Sequence, residues 1–401
     1  MNGHVVTFYS YKGGVGRTMA LANAGALIAS WGYKVLCVDW DLEAPGLHIY
    51  FRGLMDQKNA DGLLDLVEAF RSAGSVDWRR YLTDVRLPNG VRNLDLITAG
   101  RRDDSYVRRV QEVDWQALYD KHRFGNFLET MRGEWIDAYD FILVDSRTGI
   151  TDIGGICTVA LPDTLVLLFT ANDQNLEGVA DFTNRVIKER DRLPFDRYRL
   201  QVLPVAARFD LSAEYERTQD WLSKFARQLE PFYADWTGWP AKEVLNQTRI
   251  PYIPYWSFGE GLPAIERGTV DPQDVGHSLG ALAALIRLKL SAVEAIGENV
   301  QLLIKQARGP HRVLLLADSE DTLYRDELAE RLKPLEQAGH IRVVKDLDPD
   351  PEWRSQEYNV DRGFDLMVPF MSPKLFHAHK DLMMTLMRVE RLVPAWAHPP
   401  I

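Results

Sequence analysis

The stretch YSYKGGVGRTMALANAGALI, residues 9–28, decides the fold of the N-terminal part of this chain. The apolar residues 4–10 (HVVTFYS) predict a buried strand, and the Ala- and Leu-rich residues after the glycines predict a helix that ends near Gly32. KVLCVDWD, residues 34–41, predicts a second strand. A strand, a glycine-rich loop, a helix and a strand in this order predict the start of a parallel α/β sheet.

The composition is that of a globular protein with room for two domains. The 401 residues are 46% hydrophobic, which is enough for packed cores. The formal charge of −10 makes nucleic acid an unfavoured partner. Cys37 and Cys157, the two cysteines, lie in apolar runs and suggest neither a disulfide framework nor a thiolate metal site. We expect no signal peptide, no membrane span and a cytoplasmic location.

Further apolar segments extend the predicted sheet. These segments are residues 140–145, 163–171, 199–210 and 249–256. The first two have almost no polar alternation, as expected for strands that are covered on both faces. The hundred or so residues before the first of them have mostly helical periodicity and predict a helical elaboration of the sheet. We predict a first domain over residues 1–305, closed by a helix in SLGALAALIRLKLSAVEAI.

A second α/β pattern follows KQARGPH, which contains Gly309 and Pro310 and predicts a short linker. RVLLLAD, HIRVVKD, FDLMVPFMS and RLVPAWA predict strands, and TLYRDELAERLKPLEQAG predicts a helix. We therefore predict a small second domain over residues 310–401.

The glycine-rich loop has the chemistry of a phosphate site. Successive backbone N–H groups in such a loop form a positive cradle, to which the N-terminus of the following helix adds its partial charge. Glycines allow the chain to approach a phosphate closely, and the hydroxyl group that opens the helix is suited to Mg²⁺. The predicted phosphate contacts are Gly13, Gly14, Val15, Gly16, Arg17 and Thr18.

Three aspartates follow or end predicted strands. Asp39 and Asp41 end the second strand, and Asp145 ends FILVD. Ligands of parallel α/β sheets bind at the carboxyl ends of the strands, which is also where the glycine loop begins. These carboxylates are therefore predicted to lie at the ligand site, although each could instead be a turn or cap residue.

In this order the motifs resemble the deviant Walker A family of ParA, MinD and related ATPases, whose signature is KGGxGK[ST]. The resemblance covers about residues 4–290. It implies ATP and Mg²⁺ as cofactors and a dimer around the nucleotide, with Lys12 reaching the partner's phosphates. It also implies that Asp41 positions the attacking water, and that Thr18, Asp39 and Asp145 lie at the metal.

Three departures from the family pattern leave alternatives open. Arg17 replaces the loop lysine with a planar fork of donors, and it either clamps phosphate or pairs with Asp41 or Asp145. Arg147, in SRTG after FILVD, either contacts the γ-phosphate or forms a structural ion pair. Arg208 follows the position where the family has an adenine-reading Asn, so it either binds nucleotide or is a surface residue, and the choice between ATP and GTP stays open.

Residues 310–401 resemble a TIR domain, with a flavodoxin-like order of strands and helices. Enzymatic TIR domains carry a glutamate after the segment that corresponds to MSP here, and this glutamate helps to cleave NAD. Met384 stands near that position, with only Asp381 and Glu390 in the region. An interaction module is therefore favoured over an NAD hydrolase.

The sequence thus predicts a slow, Mg²⁺-dependent ATPase switch that dimerises around ATP. Its nucleotide state would control assembly or signalling by the TIR-like module through a protein partner, by analogy in a defence system. The alternative is a non-hydrolysing, nucleotide-bound scaffold that assembles through the same module. A TIR NADase regulated by the ATPase domain is the least favoured hypothesis, and the sequence identifies no pathway or trigger.

Overall fold

A computed structural model describes most of the chain and divides it into two compact units. The described residues are 3–55, 61–88, 91–147, 155–193, 197–209, 215–291, 299–317, 322–338, 341–345, 366–371 and 395–396. The smaller unit contains Arg308–Ile401 with Ser30–Gly32 and Pro88–Asn93, and the larger unit contains the rest. The domain ranges given above, 1–305 and 310–401, stay predictions.

Seven strands of the described residues form the sheet of the larger unit. They are β1 (His4–Ser10), β2 (Val35–Asp39), β3 (Thr83–Val85), β4 (Leu94–Ile97), β5 (Phe141–Asp145), β6 (Thr164–Phe169) and β7 (Gln201–Ala206). Their order in the sheet is β3-β4-β2-β5-β1-β6-β7. All neighbours are parallel except β3 and β4. The mostly parallel α/β sheet with a helical elaboration is confirmed.

Helices fill the connections between the parallel strands, as parallel pairing requires. Those of the larger unit are α1 (Arg17–Ser30), α2 (Leu47–Tyr50), α3 (Leu63–Ala73), α4 (Tyr106–Gln111), α5 (Trp115–His122), α6 (Phe124–Ala138), α7 (Asp173–Arg190), α8 (Tyr215–Ala234), α9 (Ala241–Thr248), α10 (Pro263–Glu266), α11 (Val275–Arg287) and α12 (Val300–Arg308). Short 3₁₀ turns span Trp78–Tyr81 and Pro254–Ser257, and a π-helical turn spans Ile156–Ala160. Among the described residues, no helix is both long and apolar enough to cross a membrane.

The central strands are buried along their whole length. Every residue of β1, β2, β5 and β6 is buried, which is the burial that continuous apolar strands predict. Cys37 and Cys157 are buried in this interior as free thiols. Gly25 of α1 permits close packing on the sheet, because a Cβ there would lie 2.8 Å from the Cys37 sulfur.

The strand register brings two carboxylates to one edge of the sheet. Asp39 of β2 pairs with Asp145 of β5, and Phe8 of β1 pairs with Asp145 on the other side. Because β1, β2 and β5 are parallel, their carboxyl ends lie at the same edge. The glycine loop leaves β1 at this edge.

Some predictions about the larger unit were wrong. Residues 249–256 do not form a strand: Ile250 makes an isolated bridge to Ala207, and a 3₁₀ turn follows. Pro251 and Pro254 lack the N–H groups that a further strand would need. The short strands β3 and β4 were not predicted, because three or four residues are too few to show a period.

The helix that was predicted to close the first domain begins earlier than expected. The last long helix was expected to begin at residue 278, but α11 spans Val275–Arg287. Residues 292–298 lie outside the described residues. Most of the predicted linker is helical, since α12 continues to Arg308 before Gly309 turns the chain with a φ of 73°.

Four strands of the described residues form a second, parallel sheet in the smaller unit. They are β8 (His311–Leu316), β9 (Ile341–Lys345), β10 (Leu366–Met371) and β11 (Ala395–Trp396), in the order β11-β10-β8-β9. Helix α13 (Thr322–Gln337) follows β8. A small core contains Val313, Leu315, Ala329, Val368 and Phe370. Met384, Asp381 and Glu390 lie outside the described residues, and the TIR-like character stays a prediction.

His4 makes folding of the larger unit sensitive to acid. Its Nε2 lies 2.8 Å from Thr164 Oγ1, and its Nδ1 lies 3.8 Å from Asp163 Oδ2. Burial lowers the pKa of His4 from 6.5 to about 4, against the opposing effect of Asp163. Between these values the unfolded chain binds a proton that the folded chain does not, so stability falls as pH falls.

We expect the His4→Gln variant to lose part of this pH dependence. Between pH 6.5 and pH 4 the contribution of His4 corresponds to about 3 kcal/mol in the free energy of unfolding. Urea denaturation of the parent and the variant at both pH values measures the difference. The same pH dependence in both proteins would contradict the role of His4.

Candidate functional site

The glycine loop between β1 and α1 opens into a cavity of about 670 Å³, a volume in the range of small-molecule sites. Gly14 and Gly16 have φ values of 75° and 90°. Residues other than glycine rarely adopt this left-handed backbone conformation, so the two glycines set the path of the loop. Val15 between them is buried and packs the loop onto the domain.

Most of the predicted site residues line this cavity. They are Gly13, Gly14, Val15, Gly16, Arg17, Thr18, Asp41, Arg147 and Arg208. Asp39 and Asp145 are buried beneath the loop, with no exposed surface. The lining also includes Tyr252, Trp256 and Glu260, and two residues that the sequence did not single out, Glu43 and Tyr50.

The Arg17 guanidinium lies between two carboxylates. Its Nε donates to Asp145 Oδ1 at 2.5 Å, and its Nη2 donates to Asp41 Oδ2 at 2.6 Å. The side chain is only 7% exposed. Burial opposes its charge, but Asp145 and Asp41 together raise the pKa of Arg17 above its ordinary value. Of the two alternatives for Arg17, pairing with acids is therefore observed, while phosphate clamping stays a prediction.

Asp145 also contacts Thr18. Thr18 Oγ1 donates to Asp145 Oδ2 at 2.7 Å, so the two oxygens of this carboxylate contact two different loop residues. Burial raises the pKa of Asp145, while Arg17 and the Thr18 hydroxyl oppose that rise. The end of β5 is thereby joined to the start of α1.

Asp39 and Asp41 shape the turn after β2. Asp39 Oδ2 accepts from the Leu47 N–H at 3.1 Å, and its Oδ1 accepts from the Asp41 N–H at 3.3 Å. Burial, and next the nearby Asp145, raise the pKa of Asp39 well above its ordinary range. Asp41 Oδ1 accepts from the Ala44 N–H at 3.2 Å. Both residues thus have the turn-forming role that the sequence left open, and their catalytic roles stay predictions.

The oxygen donors at this edge fit Mg²⁺. Thr18 supplies a hydroxyl and Asp145 a carboxylate, and Mg²⁺ is commonly held by one or two such groups together with phosphate oxygens and water. Within the described part of the chain, no group of three or more His, Cys, Asp or Glu residues could hold a metal ion.

Two other basic residues near the loop, Lys12 and Arg147, have protein partners. Lys12 Nζ donates to Gln174 Oε1 of α7. Arg147 Nη1 forms an ion pair with Glu43 Oε1 at 2.5 Å. Neither contact tests the predicted role of Lys12 toward a second subunit or that of Arg147 toward phosphate.

Arg208 contacts the loop. It has a left-handed φ of 54°, and its Nη1 donates to the Gly14 carbonyl oxygen at 3.0 Å. Its guanidinium carbon lies 4.7 Å from the centre of the Tyr252 ring. Tyr252 lies in the segment 249–256, which was predicted as a strand.

Comparisons with known proteins show similarity to ATPases in the part of the chain that contains the glycine loop. Residues 3–195 match the AAA domain model AAA_31. The septum site-determining protein MinD of Thermotoga maritima is 25% identical over 201 residues, which are 50% of this chain and 63% of that protein. An uncharacterized ATP-binding protein of Methanocaldococcus jannaschii is 25% identical over 176 residues, 43% of this chain and 56% of that protein. The chain thus spans little more than half the length of these curated relatives.

A solved structure of MinD from Pyrococcus horikoshii, complexed with Mg-ADP, is 20% identical with a TM-score of 0.49. The match covers 73% of this chain and 98% of that chain. The N-terminal part of this chain, which contains the glycine loop and the parallel sheet, is therefore similar to P-loop ATPases of the ParA and MinD type.

Proposed function

We propose that the N-terminal domain is a nucleotide switch that binds ATP with Mg²⁺, dimerises around it and hydrolyses it slowly. One observation carries the proposal: the left-handed Gly14 and Gly16 open into the 670 Å³ cavity, next to the Thr18–Asp145 hydrogen bond. A glycine loop suited to phosphate and a pair of oxygens suited to Mg²⁺ are thus neighbours, which supports the proposal. The choice of ATP over GTP rests on the resemblance to ParA and MinD.

The residues have separate roles in this proposal. The backbone N–H groups of residues 13–18 bind the phosphates, and Thr18 and Asp145 hold Mg²⁺ with the phosphate oxygens. Mg²⁺ neutralises the charge that develops during phosphoryl transfer. Asp41 orients the attacking water, and Lys12 contacts the phosphates of a second subunit. Asp39 lies at the metal together with Thr18 and Asp145. Arg147 and Arg208 contact the nucleotide from the cavity wall.

In this proposal Arg17 exchanges carboxylate oxygens for phosphate oxygens when the nucleotide binds. Its guanidinium now donates to Asp41 and Asp145, and negatively charged phosphate oxygens can accept the same charge-assisted hydrogen bonds. A triphosphate that draws Arg17 away from Asp41 also frees that carboxylate for the water. Tight binding of ATP before hydrolysis does not by itself accelerate the reaction. We therefore expect the ATP-bound state to be long-lived.

A second candidate function is a nucleotide-bound scaffold that does not hydrolyse ATP. The contact between Arg17 Nη2 and Asp41 Oδ2, at 2.6 Å, favours it, because this carboxylate is the proposed water-orienting group. In either case we propose that residues 310–401 are an interaction module whose assembly follows the nucleotide state. A signalling or defence role for such a fusion is an analogy.

Calorimetry with ATP and with GTP, each with Mg²⁺ or with EDTA, tests nucleotide binding. Mg²⁺ should increase the nucleotide affinity of the parent, and we expect this increase to be about tenfold smaller in the Thr18→Val variant. Valine lacks the hydroxyl but keeps the side-chain shape. Thr130→Val is the matched control, because Thr130 is exposed on α6 and its hydroxyl contacts only its own helix. If neither nucleotide bound in a Mg²⁺-dependent manner, the proposal would be wrong.

A further inference from the structure

A second cavity, of about 350 Å³, lies at the opposite edge of the sheet. The junction of α5 and α6 forms one side of it. Leu161, just before β6, and Arg197, just before β7, form the other side. Since β1, β6 and β7 are parallel, these residues lie where the strands begin, whereas the glycine loop follows the end of β1. The cavity is therefore separate from the nucleotide site.

Its lining joins an apolar wall to a few charged groups. Leu128, Leu161 and Leu193 supply apolar surface, and Arg123, Arg197 and Glu129 supply charge. Small-molecule sites typically have this make-up, with mostly apolar walls and a small number of convergent polar groups.

Arg197 has unused donor capacity at this cavity. Its side chain is 8% exposed, and one of its terminal nitrogens is paired with Glu129 Oε2. The other terminal nitrogen is a long 3.5 Å from the Leu161 carbonyl oxygen. The buried Nε has no hydrogen-bond partner among the described residues. A buried donor without a partner is unfavourable, so the Arg197 guanidinium is incompletely paired.

Two further arginines, Arg132 and Arg190, are buried and interact electrostatically with Arg197. Arg132 Nη2 donates to Asp163 Oδ1 at 2.5 Å, whereas Arg190 Nη1 donates to a backbone carbonyl, that of Val159, at 2.9 Å. The Arg190 Nε has no hydrogen-bond partner among the described residues either.

The crowding of these guanidinium groups disfavours their charge. Burial, and next the charge of Arg197, lower the pKa of Arg190 to about 10. Burial, and next the charge of Arg132, lower the pKa of Arg197 as well. A bound negative charge would offset both the burial and the repulsion.

Arg123 adds a cation at the rim of the cavity. It is the single residue that connects α5 to α6, and it has a left-handed φ of 54°. A residue other than glycine in this conformation is strained, and such strain concentrates at functional sites. The exposed Arg123 and the largely buried side chain of Arg197 thus line the same cavity.

We propose that this cavity binds a small organic monoanion, a carboxylate carried on an apolar body. Arg197 and Arg123 hold the carboxylate, and Leu128, Leu161 and Leu193 contact the apolar body. A monoanion is favoured over a phosphate dianion because Glu129 lies on the same wall and already offsets part of the positive charge.

Titration of the full chain with benzoate, followed by NMR and calorimetry, tests this site. We expect saturable binding with a dissociation constant of about 1 mM or tighter. Benzyl alcohol, which has the same ring without the charge, is expected to bind at least tenfold more weakly. Arg197→Gln is expected to weaken benzoate binding at least tenfold as well.

Two variants keep the test decisive. Arg192→Gln is the matched control, since this arginine is 72% exposed and pairs with Glu189, and it is expected to bind benzoate like the parent. Asn126→Trp fills the cavity from the exposed face of α6 while it keeps all the arginines, and it is expected to abolish binding. The proposal is overturned if benzoate does not bind saturably, binds no better than benzyl alcohol, or binds unchanged to Arg197→Gln and Asn126→Trp.

Discussion

Replacement of Arg17 by alanine is expected to lower the free energy of unfolding by about 3–5 kcal/mol, the usual cost of removing one partner from a buried ion pair. Asp41 and Asp145 would lose the guanidinium that contacts both of them, at 2.6 and 2.5 Å, while they remain buried. Urea denaturation at pH 7, without nucleotide, measures the change. If Arg17 also clamps phosphate, the same variant binds ATP more weakly by at least about 1.5 kcal/mol.

Companion variants separate loss of charge from loss of packing. Arg192→Ala removes an exposed arginine that is paired with Glu189, and it should change stability by less than about 0.5 kcal/mol. Arg17→Ala combined with Asp41→Asn should recover part of the loss, because one uncompensated carboxylate becomes neutral. Arg17→Lys should be intermediate, since one ammonium does not reproduce the planar fork. A loss below about 1 kcal/mol in Arg17→Ala would contradict the ion-pair argument.

Asp41→Asn is expected to cut ATP turnover by about two to three orders of magnitude while it leaves ATP affinity within tenfold of the parent. Phosphoryl transfer depends mainly on positioning and charge stabilisation, and the amide is a weaker acceptor for the water than the carboxylate. The amide oxygen still accepts a hydrogen bond from Arg17, so the loop keeps its partner. Steady-state phosphate release and calorimetry measure the two quantities.

Asp137→Asn is the control for this prediction. Asp137 is exposed on α6, away from the loop, so this variant should hydrolyse ATP at the parental rate. Parental turnover in Asp41→Asn would refute the assigned role of Asp41. If the parent itself binds ATP but releases no phosphate, the scaffold function is favoured over the ATPase switch.

Patterns that are local in sequence predicted much of the fold. The apolar runs that became β1, β2, β5, β6 and β7 carry their own signal, because a strand buried on both faces has no polar alternation. The segment 249–256 has a similar apolar composition, yet Pro251 and Pro254 prevent continuous pairing. Composition does not report which backbone N–H groups are available, and this is why the prediction was wrong there.

The sequence by itself determined the path of the glycine loop. Glycines at 14 and 16 are needed wherever the backbone must take a positive φ, and this requirement is local to the loop. The same holds for the carboxylates at the ends of β2 and β5, since a short apolar strand that ends in Asp places its carboxylate at the ligand edge.

Only the tertiary structure decided the partners of these groups. Arg17 is 24 residues from Asp41 and 128 residues from Asp145, and both contacts exist because the parallel register places Asp39 beside Asp145 at the edge where α1 begins. A charged residue in a sequence has many possible partners, and the register of distant strands determines which ones it meets. The same reason applies to Arg208 with Tyr252 and to Arg197 with Glu129, whose pairings depend on packing between elements that are far apart in the chain.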